Sequence, residues 1–131
     1  MTNEVQLELL KPDVIVIEVC HAKYLNYICI SQGSNVFVEA GRRRALAGQA
    51  KISSVKLKTD ESIQRLHGLT VSDCVSNLYI ELSSGRKLGP YGNYSTVADG
   101  NSTFDFEVHD VRYIRAKTHS SQNFVEKIYI G

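Results

Sequence analysis

The chain has 131 residues, 43% of them hydrophobic and 22% charged, with a formal net charge of +1. That size suits one domain with one core, taken to span residues 1–131. The near-neutral balance gives no global field toward nucleic acid or an acidic membrane. No apolar run is long enough to cross a bilayer, and Met1-Thr2-Asn3-Glu4 does not open a secretory signal.

Strand signals dominate from the start. Val5, Leu7 and Leu9 alternate with Gln6 and Glu8, the pattern of a half-buried strand. Lys11-Pro12-Asp13 reads as a turn, and residues 14–20 are apolar and β-branched. His21-Ala22-Lys23 turns into a strand at residues 24–30. Gly33-Ser34 turns into another at residues 35–40, followed by a longer loop at 41–51; as helix, residues 46–53 could make a turn at most. Strands are then predicted at 52–58, 63–69, 74–80 and 86–89. Residues 91–103, rich in Gly, Ser and Asn, read as the longest loop. Strands at 104–108, 113–118 and 124–130 finish the chain. Eleven or twelve short strands without a useful amphipathic helix indicate an all-β barrel, sandwich or prism.

A seven-residue motif recurs at intervals of fifty. Tyr24-Leu25-Asn26-Tyr27-Ile28-Cys29-Ile30 matches Cys74-Val75-Ser76-Asn77-Leu78-Tyr79-Ile80, and both match Phe124-Val125-Glu126-Lys127-Ile128-Tyr129-Ile130. The second, fifth and seventh positions are aliphatic in every copy, and the third is polar. A fixed period marks a fold assembled from repeated units, here three β-modules in one domain. After the first two copies come a glycine turn and a further strand; after the third the chain stops at Gly131. The strand at residues 5–9 is left over, so it is expected to complete the third module and close the ring, which would hide sheet edges.

The three cysteines, Cys20, Cys29 and Cys74, lack a C-x-x-C spacing. Cys29 and Cys74 fall in or beside predicted core strands, where a buried free thiol is expected. This points to a reducing compartment and favours a cytoplasmic location.

The stretch Asp60-Glu61-Ser62-Ile63, then Leu66-His67-Gly68, then the second motif copy, then Gly85-Arg86-Lys87-Leu88-Gly89-Pro90-Tyr91-Gly92 resembles the middle of a jacalin-related lectin domain. Residues 114–128 are similar to that family's closing segment, so the resemblance spans nearly the whole chain. It implies the β-prism I fold, three four-stranded Greek-key sheets around a pseudo-three-fold axis. It also implies a non-enzymatic glycan-binding role.

In that family a closing loop of the form G-x-x-x-D supplies a carboxylate, and a glycine-rich turn near the N-terminus supplies backbone amides. A carboxylate acceptor beside amide donors suits sugar hydroxyls, which both donate and accept. Here the matching third-module positions are Gln122 and Glu126, with Asn123 and Phe124 between them. The first module has Ala22 and Asn26 at these places, the second Ser72 and Ser76. Lys11-Pro12-Asp13 replaces the glycine-rich turn. The third module alone therefore keeps a carboxylate, and Gln122, Asn123, Phe124 and Glu126 form the candidate carbohydrate site. The bland alternative makes Glu126 the solvent-facing residue of an alternating strand.

Gly41-Arg42-Arg43-Arg44 is a second candidate, for anions. Some animal members of the family carry basic residues near such loops and are associated with sulfated glycans or acidic lipids. Guanidinium groups bind sulfate and phosphate bidentately. The commoner outcome for such a run is a solvated loop. A Walker-type loop is excluded, because Gly41 and Gly48 have six residues between them and Gln49 stands where Lys is needed. One basic run without interleaved aromatics offers little stacking surface for nucleic acid.

His21, His67, His109 and His119 show no metal-ligand spacing, and His67 sits in a predicted strand. Neither a nucleophile elbow nor a carboxylate pair is evident, so no enzyme, metal or cofactor is expected. Asn93-Tyr94-Ser95 and Asn101-Ser102-Thr103 fit the glycosylation pattern but read as chance matches in a polar loop. Three functions compete: a lectin-like module, with an oligomer or longer chain supplying avidity; a sugar-silent prism serving protein interaction or assembly; and a sulfated-glycan or acidic-lipid binder using Arg42, Arg43 and Arg44.

Overall fold

The computed structural model describes residues 14–42, 51–92, 102–121 and 123–131. The first four strands are β1 Ile15–His21, β2 Leu25–Gln32, β3 Asn35–Gly41 and β4 Lys51–Lys56. The next four are β5 Ile63–Val71, β6 Cys74–Leu82, β7 Lys87–Gly92 and β8 Ser102–Glu107. A 3-10 turn at Val111–Tyr113 leads into β9 Ile114–Thr118, and β10 is Val125–Ile130.

The strands form two antiparallel sheets of identical order, β3-β2-β1-β4 and β7-β6-β5-β8, with β10-β9 as the third among the described residues. In each four-stranded sheet, three hairpin-linked strands are followed by a fourth that returns beside the first, a Greek key. The predicted strand at 5–9, the Lys11-Pro12-Asp13 turn and residues 93–101, with Asn93-Tyr94-Ser95 and Asn101, lie outside the described residues. The repeat copies coincide with β2, β6 and β10, the second strand of each sheet.

Several strand limits differ from the sequence reading. Tyr91 and Gly92 belong to β7, and Ser102 and Thr103 to β8, rather than to one loop. Pro90 lies inside β7, past the predicted limit at residue 89; β7 is an edge strand, where a missing N–H costs no ladder bond. Gly41 and Lys51, assigned to the 41–51 loop, are likewise strand residues. Tyr113 belongs to the 3-10 turn, held by Asp110, whose Oδ1 accepts from the Arg112 amide at 2.9 Å. None of the three cysteines forms a disulfide; Cys20 and Cys74 are buried and Cys29 is half-buried.

The aliphatic positions of the repeat make the centre of the core. Leu25, Ile28, Ile30, Val75, Leu78, Ile80, Val125 and Ile128 are each at most 2% exposed. Ile130 departs from the pattern at 39% exposed. The strands β2, β6 and β10 touch one another, so the three sheets meet along these residues.

The polar third position has its own geometry. Tyr27 pairs with Cys20 but Leu25 pairs with His21, which leaves Asn26 as an extra residue in β2. Asn77 pairs with Leu69 and Val75 with Thr70, so Ser76 is extra in β6. Lys127 pairs with Lys117 and Val125 with Thr118, so Glu126 is extra in β10. Each copy therefore carries a β-bulge at the same motif position, a device that unpairs one residue and re-aims its side chain.

Glycines at the ends of the third strands close over these bulges. Gly41 has φ +83° and a Cβ there would lie 2.0 Å from Asn26 O; Gly92 has φ +114° and a Cβ would lie 2.1 Å from Ser76 O. Their amides also join the sheets. The Gly41 N–H donates to Thr118 Oγ1 at 2.9 Å, and the Gly92 N–H donates to His21 Nδ1 at 3.0 Å. Burial, then the charge of Lys51, holds the His21 pKa below its ordinary value, which keeps Nδ1 available as an acceptor.

Two residues of the family-like segment find each other at the opposite end. The Glu61 side chain is 1% exposed and accepts from Arg86 Nη2 at 2.7 Å and Nε at 3.1 Å. It also accepts from the Lys58 amide at 2.8 Å and Ser84 Oγ at 2.5 Å. The turn before β5 is thereby fixed to the β6–β7 turn. These bonds, Arg86 foremost, lower the Glu61 pKa to about 2.

Two predictions follow from this packing. Gly92→Ala should destabilise by roughly 2–4 kcal/mol, since positive φ and a backbone clash act together. Gly85→Ala, at φ +93° with nothing within 4 Å of the new Cβ, isolates the backbone term and should cost about 1–2 kcal/mol. Urea titration of both variants checks the order, and equal losses would refute the bulge contact. Glu61 has a depressed folded-state pKa, so its contribution is full above the unfolded pKa of 4.5 and is lost as pH falls toward about 2. Glu61→Gln should thus be less stable at neutral pH, and its stability should change less than that of the parent between those two values. Thermal melts across that window measure it.

Candidate functional site

The hairpin turns at residues 22–24, 72–73 and 119–124 lie at one end of the prism, called apical below. The first motif residues gather there. Tyr24 and Phe124 stack with ring centroids 5.3 Å apart and planes inclined by 25°, and Cys74 is buried. Phe124, one of the candidate carbohydrate-site residues, thus packs on Tyr24 and braces the first module against the third.

The closing loop is held by its own bonds. The His119 amide donates to Phe124 O at 2.8 Å, and the Asn123 amide donates to His119 O at 3.2 Å. The Ser121 amide donates to His119 Nδ1 at 3.2 Å. Asn123 takes φ +61°, the left-handed conformation that asparagine tolerates better than most residues. Gln122 lies outside the described residues.

Glu126 is half-buried at the bulge, with Oε2 3.2 Å from Lys117 Nζ. It lines a cleft of about 430 Å³ together with Thr70, Asp73, Ser102, Thr103, Phe104, Phe106, Lys127 and Ile128. Asp73, Ser102 and Thr103 are exposed, whereas Ile128 is buried and the two phenylalanines are half-buried, so a polar mouth opens over an apolar floor. Burial first, then the charges of Asp73 and Glu126, push the Cys74 thiol pKa up, which places both carboxylates about one thiol. A cleft with two carboxylates, several hydroxyls and a pair of stacked rings (Phe104 and Phe106, 5.9 Å between centroids) can accept and donate to sugar hydroxyls while packing against an apolar sugar face.

The other two bulge residues differ. Asn26 is 7% and Ser76 0% exposed. Asn26 O accepts from the Arg42 amide at 2.9 Å. Thr70 stands opposite Val75 as Thr118 stands opposite Val125 and His21 opposite Leu25, but it faces the cleft. Sequence reasoning reached Glu126 and missed Asp73, Thr70, Ser102 and Thr103. Asp73 alone left a trace, as the acidic residue of a two-residue hairpin turn with positive φ at both positions.

Of the anion candidates, Arg42 is exposed directly after Gly41; Arg43 and Arg44 lie outside the described residues. His21, His67 and His119 are occupied structurally. His67 stacks on Tyr79 at 5.1 Å and lies 2.8 Å from Glu81 Oε2. Asp110, beside His109, is taken by Arg112. Among the described residues no group of three or more His, Cys, Asp or Glu side chains could hold a metal ion.

No protein-family profile matches the chain, and no curated protein sequence matches it significantly. Solved structures do. A mannose-binding lectin from Champedak aligns with a TM-score of 0.58 at 14% identity, covering 88% of this chain and 79% of that one. The artocarpin–mannotriose complex aligns at 0.59 with 16% identity, covering 90% and 81%. A mannose-specific jacalin-related lectin from Morus nigra, solved with mannose, aligns at 0.58 with 13% identity, covering 88% and 77%. The fold is therefore the β-prism found in jacalin-related lectins, as the sequence resemblance implied.

Comparing the bulges yields a further prediction. The Ser76 hydroxyl is buried and has no hydrogen-bond partner among the described residues. Ser76→Ala should raise stability by roughly 1 kcal/mol, because it removes an unsatisfied polar group. Chemical denaturation decides this; a clear loss would mean that the hydroxyl has a partner.

Proposed function

We propose that the chain is a non-enzymatic carbohydrate-binding module that takes a glycan at the apical mouth of the cleft beside Glu126. The observation that carries this reading is the placement of Glu126. The single carboxylate among the three bulge residues lines an open cleft with Asp73 and three hydroxyl side chains. Three of the aligned structures are described as mannose-binding or as complexes with mannose or mannotriose, which supports a sugar as the ligand class.

Glu126 acts as a hydroxyl acceptor, held by the bulge and by Lys117 on the neighbouring strand. Asp73, on the β5–β6 turn, supplies the second acceptor. Glutamate reaches one methylene further than the aspartate of the family pattern, so its carboxylate can extend from the strand toward the cleft. The Asn123 amide is already donated within its loop, so it does not offer the sugar that hydrogen bond. Side-chain hydroxyls of Thr70, Ser102 and Thr103 supply donors instead.

A monosaccharide should bind weakly, with Kd of roughly a millimolar, because a shallow polar site gains little beyond its ordering and desolvation costs. A glycan array followed by calorimetry tests the proposal. Glu126→Gln keeps the side-chain length and removes the charge; it should weaken binding by about ten-fold. Silence across neutral and acidic glycans would sink the function, and affinity unchanged by Glu126→Gln would sink the site.

A further inference from the structure

The second sheet, β7-β6-β5-β8, carries a cleft on its outer face. Residues 67 and 69 of β5, 77 and 79 of β6, and 103 and 105 of β8 alternate along their strands, so they share one side of the sheet. The core residues Leu66, Leu78 and Ile80 occupy the other side. Register aligns the first set as two cross-strand rows, Asp105-His67-Tyr79 and Thr103-Leu69-Asn77. All six line a cleft of about 290 Å³, together with Gly68 and Phe104. Leu69 and Asn77 are buried and make its floor, while Asp105 and Thr103 are exposed at its rim.

Its walls suit an uncharged polyol. The His67 and Tyr79 rings are inclined by only 12° and make one flat aromatic surface. Arg65 donates to both oxygens of Asp105, with Nε 2.7 Å from Oδ1. This bidentate clamp fixes the carboxylate plane and leaves lone pairs free to accept from hydroxyls. Charges here are paired: Arg65 also lies 3.4 Å from Glu81, and Lys87 stands opposite Glu81. By contrast, sheet one sets Glu18, Cys29 and Glu39 in a row, and sheet three sets Lys127 against Lys117. A surface whose charges are already paired matches a neutral ligand better than an ion. The cleft is also continuous with the one at Glu126. β8 is the edge of its sheet, and Thr103 and Phe104 line both clefts. Gly68 stands opposite Phe104, and a Cβ there would lie 2.9 Å from Phe104 Cζ. The ring thus lies against space that a side chain on β5 would fill.

We infer that the outer face of sheet two, between Asp105 and Tyr79, is a second sugar subsite, and that a neutral oligosaccharide runs from the cleft at Glu126 around the β8 edge onto it. This rests on the glycan reading above and gives it a ligand class. From Asp105 to Tyr79 the row crosses two strand spacings, about 10 Å, which is longer than one sugar ring. Asp105 accepts from hydroxyls at the rim, Thr103 accepts and donates at the crossing, and the apolar face of a further ring packs on Tyr79 and His67. A surface ion pair between Arg65 and Asp105 would serve stability alone, and that role gives no dependence on ligand length.

The test is calorimetry and amide NMR titration of the parent chain, Asp105→Asn and Tyr79→Leu. The probes are mannose with linear mannotetraose, and galactose with linear galactotetraose. In one series the tetrasaccharide should bind the parent about ten-fold tighter than its monosaccharide. The monosaccharide should shift the amide signals of Asp73 and Glu126, and the tetrasaccharide those of His67, Tyr79 and Asp105 as well. Each variant should lose most of the gain with length and keep the parent's affinity for the monosaccharide. Should Tyr79→Leu lose its fold, seen as collapsed amide dispersion, the isosteric and exposed Asp105→Asn decides. Equal affinity for the short and long probes overturns the second subsite and leaves the glycan reading intact. A gain with length that survives Asp105→Asn, or that leaves the sheet-two amides unmoved, also overturns it. If no probe of either series binds, both readings fail.

Discussion

One extra residue in the second strand of each sheet shapes this molecule. An antiparallel ladder without bulges would put motif positions two and three on opposite faces and leave the third in the hydrogen-bonded row. The bulge removes Asn26, Ser76 and Glu126 from that row in all three sheets. It also sharpens the local twist, which helps a flat sheet wrap toward its neighbours. Below the bulges the aliphatic positions return to the axis, and burying each such side chain is worth roughly 1.5–3 kcal/mol. No sheet could bury its inner face alone, so the three-way contact of β2, β6 and β10 stabilises all of them together.

The same backbone device has three chemical outcomes. In the first two sheets a glycine at the end of the third strand presses on the bulge carbonyl and covers it. Its amide then ties the sheet to the neighbouring one through Thr118 or His21. A residue covered in this way is buried, and a neutral Asn or Ser suits that place better than an ion. In the third sheet Glu126 borders an open cleft, and Lys117 offsets its charge. The residue types at one motif position therefore follow burial: neutral where the joint is closed, charged where it is open.

Much of the architecture was legible in the sequence because it is periodic. Alternation located most strands, and the fifty-residue repeat located the inner strand of each sheet. What escaped depends on contacts between distant residues. Glu61 and Arg86 served only as markers of resemblance, and nothing local reveals that they form one part-buried ion pair across 25 positions. Gly89, Pro90 and Gly92 carry strong turn propensity, yet an edge position and a close approach to Leu78 and Ser76 make them strand residues. The stack of Phe124 on Tyr24 escaped notice because nothing in sequence places Tyr24 against it. Asp73 was overlooked because its value comes from facing β10, a strand more than fifty residues away.

Net charge was the least informative quantity of all. A value of +1 conceals an acidic row on one sheet, a neutralised network on the second and a basic face on the third. That partition depends on register, and the bulge sets the register. With Glu126 out of the ladder, Lys127 faces Lys117; without the bulge, Glu126 would take that place and the like-charged pair would vanish. The irregularity that frees a carboxylate for the cleft thus also assembles the cations next to it. A carboxylate that borders the cleft and a row of cations beside it therefore arise from one inserted residue, a single structural cause.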